Sequence, residues 1–224
     1  IQAEIEKAIL ILQKQVIQLT GSSRTDAGVH ALQNFFHFDL ADSLNQKEFI
    51  YKLNAILPSD IAIKNIFEVR SDSHCRFDAK KRTYRYFIYQ NKNPFIEDRA
   101  YYFPYALDLE SMQEAAGIIK GYQDFTSFSK RNTQVKTFRC QLFESHWKIS
   151  AGKIIYEVSA DRFLRGMVRA LAATMQQIGR RKLTLDQFRK IIEAKDSTQA
   201  SFAVPAHGLF LISVSFSEDY FLHQ

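Results

Sequence analysis

Helical and strand-like hydrophobic patterns alternate along nearly the whole chain of 224 residues. Apolar residues recur at helical spacing in segments 1–12, 46–57, 108–121 and 163–179, and again from residue 184. Residues typical of strands occupy segments 16–20, 32–40, 61–69, 83–90, 140–149, 154–160 and 209–216. Long strands that follow one another suggest antiparallel hairpins. The sequence therefore predicts an α+β fold in which helices pack on one side of an antiparallel sheet.

The order of elements recurs in outline after residue 100, which predicts two similar halves, 1–100 and 101–224. Local signals support several helix ends. Asp108 is a candidate N-cap, Gly121 and Gly179 are candidate C-terminal stops, and Thr184 with Gln187 has the spacing of a capping box. Each half is long enough to form a core of its own.

Composition and cysteine usage place the chain among ordinary globular proteins. Hydrophobic residues make up 46% and charged residues 24% of the chain, and no apolar run reaches the length of a membrane-spanning helix or has the form of a signal peptide. We therefore expect a cytoplasmic location. Cys75 and Cys140 lie far apart without partners at metal-ligand spacing, so we expect buried, reduced thiols.

The chain has a net charge of +6, which suits a polyanionic partner because each neutralised phosphate releases counterions. The basic residues also form clusters, which says more than the total charge. The clusters are Arg76, Arg82 and Arg85; Arg162, Arg165 and Arg169; and Arg180, Arg181 and Lys182. The second cluster has helical spacing and is predicted to share one helix face, which is most often simply solvated. Because the opposite face is apolar, this basic face would also suit an RNA backbone.

The loop at 21–30 carries an arginine, a carboxylate and two glycines between two apolar segments. One interpretation is a turn in which Asp26 caps backbone N–H groups and Arg24 pairs with it at the surface. The other is a carboxylate held at a strand junction beside a cation, with a low pKa, available as a nucleophile or a base. Spacing alone does not choose between them.

Five motifs, in order along nearly the whole chain, resemble the TruA family of tRNA pseudouridine synthases. They are RTDAGVHA at 24–31, RFDAKKRTYRY at 76–86, DFTSF at 124–128, FLRGMVR at 163–169 and PAHGL at 205–209. The resemblance implies the pseudouridine synthase fold. It also implies isomerisation of uridine to pseudouridine at positions 38–40 of the tRNA anticodon stem-loop, by a homodimer that shares one tRNA.

The same resemblance assigns roles to five residues. Asp26 would be the catalytic aspartate, and Arg24 would help displace the target base from its stack. Tyr84 would pack against the flipped uracil, Arg169 would pair with Asp26, and Leu209 would form an apolar wall. Without the resemblance, Tyr84 and Leu209 would be interpreted as core residues of strands. Asp26 could attack C1′ or C6, or remove the ribose 2′ proton, and the sequence leaves these routes open.

The chain contains no phosphate-binding glycine-rich loop, dinucleotide fingerprint or metal-ligand set, so we expect no cofactor and no metal. His30 and His37, predicted on opposite faces of one strand, are expected to be structural. Two other functions would suit parts of this sequence. A non-catalytic RNA-binding module on the same fold would not need Asp26. A glycoside or nucleoside hydrolase would normally need a second carboxylate, and none stands out.

The chain departs from the family pattern at its start. Members usually open with a strand and a Tyr-Asp-Gly-type loop before the first helix, whereas Ile1 already lies inside that helix. We therefore expect the N-terminal half to lack its first strand. The C-terminal half, 101–224, is expected to complete the active-site cleft around the Asp26 loop.

Overall fold

The computed structural model describes residues 1–40, 44–131 and 135–222. The helices within these residues are α1 (Gln2–Gln13), α2 (Gln46–Ile56), α3 (Leu109–Ile118), α4 (Met167–Gly179) and α5 (Leu185–Ala194). The strands are β1 (Thr20–Gly21), β2 (His30–Ala31), β3 (Phe36–His37), β4 (Lys81–Tyr89), β5 (Tyr101–Tyr102), β6 (Leu142–Ser150), β7 (Lys153–Ala160) and β8 (Leu209–Ser215). No helix in the described part of the chain is long and apolar enough to cross a membrane.

The chain divides into two compact units. The small unit comprises Ile1–Arg24, Asn34–Ala79 and Phe216–Gln224, and the sheet unit comprises Thr25–Gln33 and Lys80–Ser215. These bounds differ from the predicted halves 1–100 and 101–224, because β4, from the first of those halves, pairs with β7 and β8 from the second. The similarity of the two halves stays a prediction.

The core of the small unit lies between α1 and α2. Ile5, Ala8 and Ile9 of α1 are buried with Phe49 and Leu53 of α2. The helical periodicity predicted both helices correctly. The Asn45 side chain accepts a hydrogen bond from the Glu48 backbone N–H at the start of α2, and the helix ends two residues before Pro58.

Segment 16–20 was predicted as a strand, and only Thr20 at its end has a place in a sheet. Ile17 and Leu19 are buried as the pattern requires, but the main chain at Leu19 bonds to side chains of α1. The Leu19 N–H donates to the Glu6 carboxylate at 2.9 Å, and the Gln2 amide donates to the Leu19 carbonyl at 2.7 Å. Helix side chains thus take the place of a neighbouring strand.

Segment 61–69 was also predicted as a strand, and the prediction is wrong. Val69 forms only an isolated bridge with Phe221, and no strand is assigned to this described segment. The Asn54 side chain accepts from the Ile63 N–H at 2.7 Å and donates to the Ile63 carbonyl at 2.9 Å. One amide side chain therefore satisfies both main-chain groups that a ladder would have paired.

Of the strand predicted at 32–40, only Phe36–His37 forms one, β3, while β2 ends just before the segment, at Ala31. β2 lies in the sheet unit, parallel to β8, and β3 lies in the small unit, antiparallel to β1. His30 and His37 therefore occupy different strands, not opposite faces of one. The alternating pattern could not reveal this break, because Leu32, Phe36 and Phe38 keep the period across it.

The sheet unit contains a six-stranded sheet of order β2-β8-β4-β7-β6, with β5 beside the end of β4. The pairings of β4 with β7 and β8, and of β6 with β7, are antiparallel; β2 with β8 and β5 with β4 are parallel. The long strands predicted at 83–90, 140–149, 154–160 and 209–216 are confirmed. The α+β class is confirmed too.

One face of this sheet carries the core. Tyr86 and Tyr156 are adjacent in register and fully buried, and Trp147 stacks on Tyr156 with 4.9 Å between ring centroids. The Trp147 indole N–H points to the sulfur of Met175 in α4 at 3.5 Å, so helices cover this face. The opposite face carries the ion pair between Arg85 and Glu157. The helices thus pack on the buried face of the sheet, as predicted.

Helix ends in the sheet unit follow their sequence signals. Asp108 caps α3, and Thr184 and Gln187 form both hydrogen bonds of a capping box at α5. The helix predicted from residue 163 begins only at Met167, because Gly166 has a φ of 77°, a left-handed conformation that a helix interior excludes. Arg162 and Arg165 therefore precede the helix and do not share a face of it with Arg169, contrary to the prediction.

Candidate active site

Asp26 lies in a tight turn of the sheet unit. Its carbonyl accepts a hydrogen bond from the Val29 N–H at 3.2 Å, and Gly28 has a φ of 81°, as the third position of a type II turn requires. An added Cβ at Gly28 would also lie 3.3 Å from the Cβ of Ala206. The turn leads directly into β2, where His30 is in register with Phe210 of β8. The carboxylate is thus held close to a sheet edge.

Three cations surround the Asp26 carboxylate. The Lys130 Nζ lies 2.9 Å and the Arg169 Nη1 3.4 Å from Oδ2, while the Arg165 Nε lies 3.9 Å from Oδ1. The Asp26 side chain is 21% exposed, so the group is mostly shielded yet still open to a ligand. All four residues belong to the sheet unit.

The cations keep Asp26 ionised. Partial burial alone would raise the pKa of Asp26, but the hydrogen bond and charge of Lys130 and the charges of Arg169 and Arg165 outweigh it. The pKa of Asp26 therefore lies below its ordinary value. An ionised carboxylate at neutral pH can act as a nucleophile or as a general base.

Arg169 links Asp26 to the last of the five motifs. Besides its contact with Asp26, its Nε and Nη2 donate to the Val204 carbonyl at 3.0 and 2.6 Å. The side chain projects from the first turn of α4 and is 19% exposed. One guanidinium therefore fixes the carboxylate and the chain leading to Leu209 at the same time.

Tyr84 and Leu209 lie on the buried face of the sheet. Tyr84, 7% exposed, meets Phe163 edge to face at 5.0 Å between ring centroids. Leu209, 6% exposed, opens β8 and is in register with Tyr86, whose hydroxyl donates to the Pro205 carbonyl at 2.8 Å. The structure thus brings strands β4 and β8 together with the segment that Arg169 anchors.

The other predicted basic residues have varied surroundings. Arg24 is exposed and closes the first segment of the small unit, and its role stays a prediction. Arg85 forms an ion pair with Glu157 at 2.6 Å, and Arg181 forms one with Asp108 at 3.4 Å. Arg85 and Arg181 therefore neutralise carboxylates of the protein itself.

Sequence reasoning missed Lys130, the cation closest to Asp26. A signal was available: Lys130 follows the DFTSF motif by two residues and is basic. Its partner lies 104 residues away, however, and only the folded chain joins them. In the part of the chain that the structure describes, no group of three or more histidines, cysteines, aspartates and glutamates is arranged to hold a metal ion.

The fold is that of the pseudouridine synthase class. A family model described as tRNA pseudouridine synthase matches residues 115–217, which include Lys130, Arg165, Arg169 and Leu209.

Relatives extend the similarity over the whole chain. The chain is 43% identical over 222 residues to tRNA pseudouridine synthase A of Parabacteroides distasonis, covering 99% of this chain and 88% of the relative. It is 41% identical to the protein of that name from Bacteroides thetaiotaomicron, with 100% and 84% covered, and 39% identical to that of Bacillus subtilis, with 96% and 88% covered. The chain belongs to the tRNA pseudouridine synthase family.

Proposed function

We propose that this protein converts uridine to pseudouridine at positions 38–40 of the tRNA anticodon stem-loop, with Asp26 as the catalytic residue. The observation that carries the assignment is the Asp26 carboxylate, ionised, one-fifth exposed and held by Lys130 and Arg169. Membership of the family supports tRNA as the substrate, and the resemblance of the motifs supports the positions.

The reaction makes clear demands on such a site. The N1–C1′ bond of the uridine breaks, the uracil turns, C5 joins C1′, and the hydrogen on C5 is released as a proton. Attack of Asp26 on C1′, attack on C6 and removal of the 2′ proton all begin from the ionised carboxylate. A group whose pKa is held low by neighbouring cations meets this shared requirement.

The target base must leave its stack before Asp26 can reach it. An aromatic face offsets part of the unstacking cost, which supports Tyr84 as the residue that packs against the uracil. Leu209 would form an apolar wall, and Arg24 would help to displace the base. Arg169 would hold the carboxylate in place through the contacts described above.

The decisive experiment measures tritium release from tRNA labelled at uridine C5. We expect release with the wild-type protein and a loss of at least about a thousandfold with Asp26→Asn, since the amide can neither attack nor accept a proton. Asp108→Asn is the matched control: it also removes an ion-paired aspartate of the sheet unit, but asparagine keeps the N-cap of α3.

Three results would count against the proposal. Equal release by wild type and Asp26→Asn would remove Asp26 from the chemistry. No release by the wild type, with tRNA still bound, would leave a non-catalytic RNA-binding module. Free uracil in place of pseudouridine would indicate a hydrolase. Mapping the modified nucleotide tests positions 38–40.

We further propose a homodimer in which two subunits share one tRNA, which rests on the resemblance, and a cytoplasmic location, which rests on the tRNA-modifying activity named for the relatives. Light scattering of the protein with and without tRNA tests the assembly. A monomer under both conditions would refute it.

A further inference from the structure

Lys130 makes the shortest charged contact with Asp26 in the described part of the chain. Its Nζ lies 2.9 Å from Oδ2, against 3.4 Å for Arg169 on the same oxygen. The Lys130 side chain is 35% exposed, and lysine has four flexible bonds. Without further support, it would not hold a fixed position beside the carboxylate.

The structure supplies that support at Gly166. The Lys130 backbone N–H donates to the Arg165 carbonyl at 2.9 Å, which fixes the start of the side chain. A Cβ built on Gly166 would lie 3.0 Å from Cγ, 3.3 Å from Cδ and 3.2 Å from Cε of Lys130. The lysine stem therefore occupies the space that a side chain at position 166 would need.

The contacts also distinguish the two carboxylate oxygens. Among the ion pairs of the described residues, Lys130 and Arg169 both contact Oδ2, whereas Oδ1 has one contact, at 3.9 Å, with Arg165, whose side chain is 61% exposed. Oδ2 is thus anchored by two cations. Oδ1, with its single longer contact, is the less constrained oxygen.

We propose that Lys130 is a positioning residue of this active site: laid across Gly166, it holds Oδ2 of Asp26 and turns Oδ1 towards the substrate. The inference rests on the proposed function of Asp26 and deepens it. Glycine before α4 suits both its φ of 77° and the lysine stem, which a side chain at position 166 would press against.

The test uses Lys130→Met, Lys130→Arg and Gly166→Ala in the full chain. We expect Lys130→Met to lower the single-turnover rate at saturating tRNA by about 10- to 100-fold, because misplaced reacting groups cost rates of this order. The Kd for tRNA should stay within about threefold. The rate of Lys130→Arg should lie between those of the wild type and Lys130→Met. Gly166→Ala should lower the single-turnover rate and leave the Kd for tRNA unchanged.

Two control variants match these changes. Lys148→Met removes another lysine of similar exposure, 39%, from an ion pair of 2.7 Å with Glu157. Gly152→Ala places alanine at a φ of 69°, similar to Gly166, but with no heavy atom of the described residues within 4 Å of the new Cβ. Both should keep the wild-type rate, which separates positioning from general loss of charge or backbone strain.

The rate against pH adds a readout that a purely structural role would not move. Among the described residues, the charged groups facing Asp26 besides Lys130 are Arg165 and Arg169. Loss of Lys130 removes a hydrogen bond and a charge that lower the pKa of Asp26. The acid limb should therefore move to higher pH in Lys130→Met and less in Lys130→Arg.

A cleft of about 300 Å³ bordered by Lys130, Arg131 and Lys195 offers the competing explanation, contact with an RNA phosphate. A Lys130→Met variant with a raised Kd and an unchanged rate would establish that contact and overturn positioning. If Lys130→Met does not fold, wild-type rates in both Lys130→Arg and Gly166→Ala overturn it instead. Activity of Asp26→Asn would refute the proposed function itself, and is measured separately.

Discussion

Gly208, just before the proposed wall residue Leu209, is a glycine for lack of space rather than for its backbone angles, since its φ is not positive. A Cβ at this position would lie 2.8 Å from Cζ and 3.0 Å from Oη of Tyr86, and 3.1 Å from the Phe87 carbonyl oxygen. Ordinary carbon contacts are about 3.5–4.0 Å. Gly208→Ala therefore forces a neighbour to move by about 0.7 Å, the shortfall from that contact distance.

Neither neighbour can move freely. Tyr86 is fully buried and donates its hydroxyl proton to Pro205 at 2.8 Å, and the Phe87 carbonyl belongs to the central strand β4. Inserting a methyl group into a packed core costs about 1–3 kcal/mol. Because breaking the Tyr86 hydrogen bond would add to this cost, we expect a value in the upper half of that range. The melting temperature should fall by about 4–12 °C.

Urea unfolding followed by Trp147 fluorescence measures this change, because Trp147 is the one tryptophan of the chain and lies in the sheet unit. The midpoint should fall with little change in slope. Gly117→Ala is the control of opposite sign: Gly117 is exposed in α3 with nothing within 4 Å of an added Cβ, so alanine should stabilise by up to about 1 kcal/mol. Wild-type stability of Gly208→Ala would refute the steric reasoning.

Three further outcomes are expected. Folding lowers the pKa of Asp26, so its ionised form stabilises the protein above the ordinary aspartate pKa, and this stability is lost as pH falls through the lowered pKa. The difference in melting temperature between wild type and Asp26→Asn should therefore shrink in that pH range. A difference that stays constant with pH would contradict this expectation. Thr184→Ala should cost about 0.5–2 kcal/mol in urea unfolding by removing the capping box, and Thr184→Ser should restore most of it. Burial raises the pKa of Cys140 to about 12, so iodoacetamide at pH 8 should leave Cys140 unmodified in the native protein. The same reagent should modify Cys140 after denaturation. Rapid labelling of the native protein would show that Cys140 is accessible.

The parts of the fold with strong local signals were predictable from the sequence. The N-cap at Asp108, the capping box at Thr184 and the alternating pattern of β4 each depend on residues close together in the chain. The strand predictions for segments 16–20 and 61–69 failed because helix side chains, Glu6 and Asn54, bond to their main-chain groups. The hydrophobic pattern assigns those groups to a neighbouring strand. Hydrophobic periodicity records burial, and it does not record which group accepts a hydrogen bond.

The candidate site shows the same division. The resemblance singled out Asp26 and Arg169, and the structure contains an ion pair between them. Lys130 was not predicted because it contacts Asp26 from 104 residues away in the sequence. Its stem also lies in the space beside Gly166, which the sequence does not reveal. A sequence motif identifies residue types, whereas an empty volume filled by a distant side chain becomes visible only in three dimensions.

The order of strands in the sheet has a consequence for synthesis on the ribosome. β8, the last strand of the sheet, lies between β2, which follows the Asp26 turn, and β4. A nascent chain therefore contains Asp26 long before the strand beside β2 has been synthesised. Pairing over such a separation is slow. The pairing that fixes β2, the strand after the Asp26 turn, can therefore form only once β8 has left the exit tunnel.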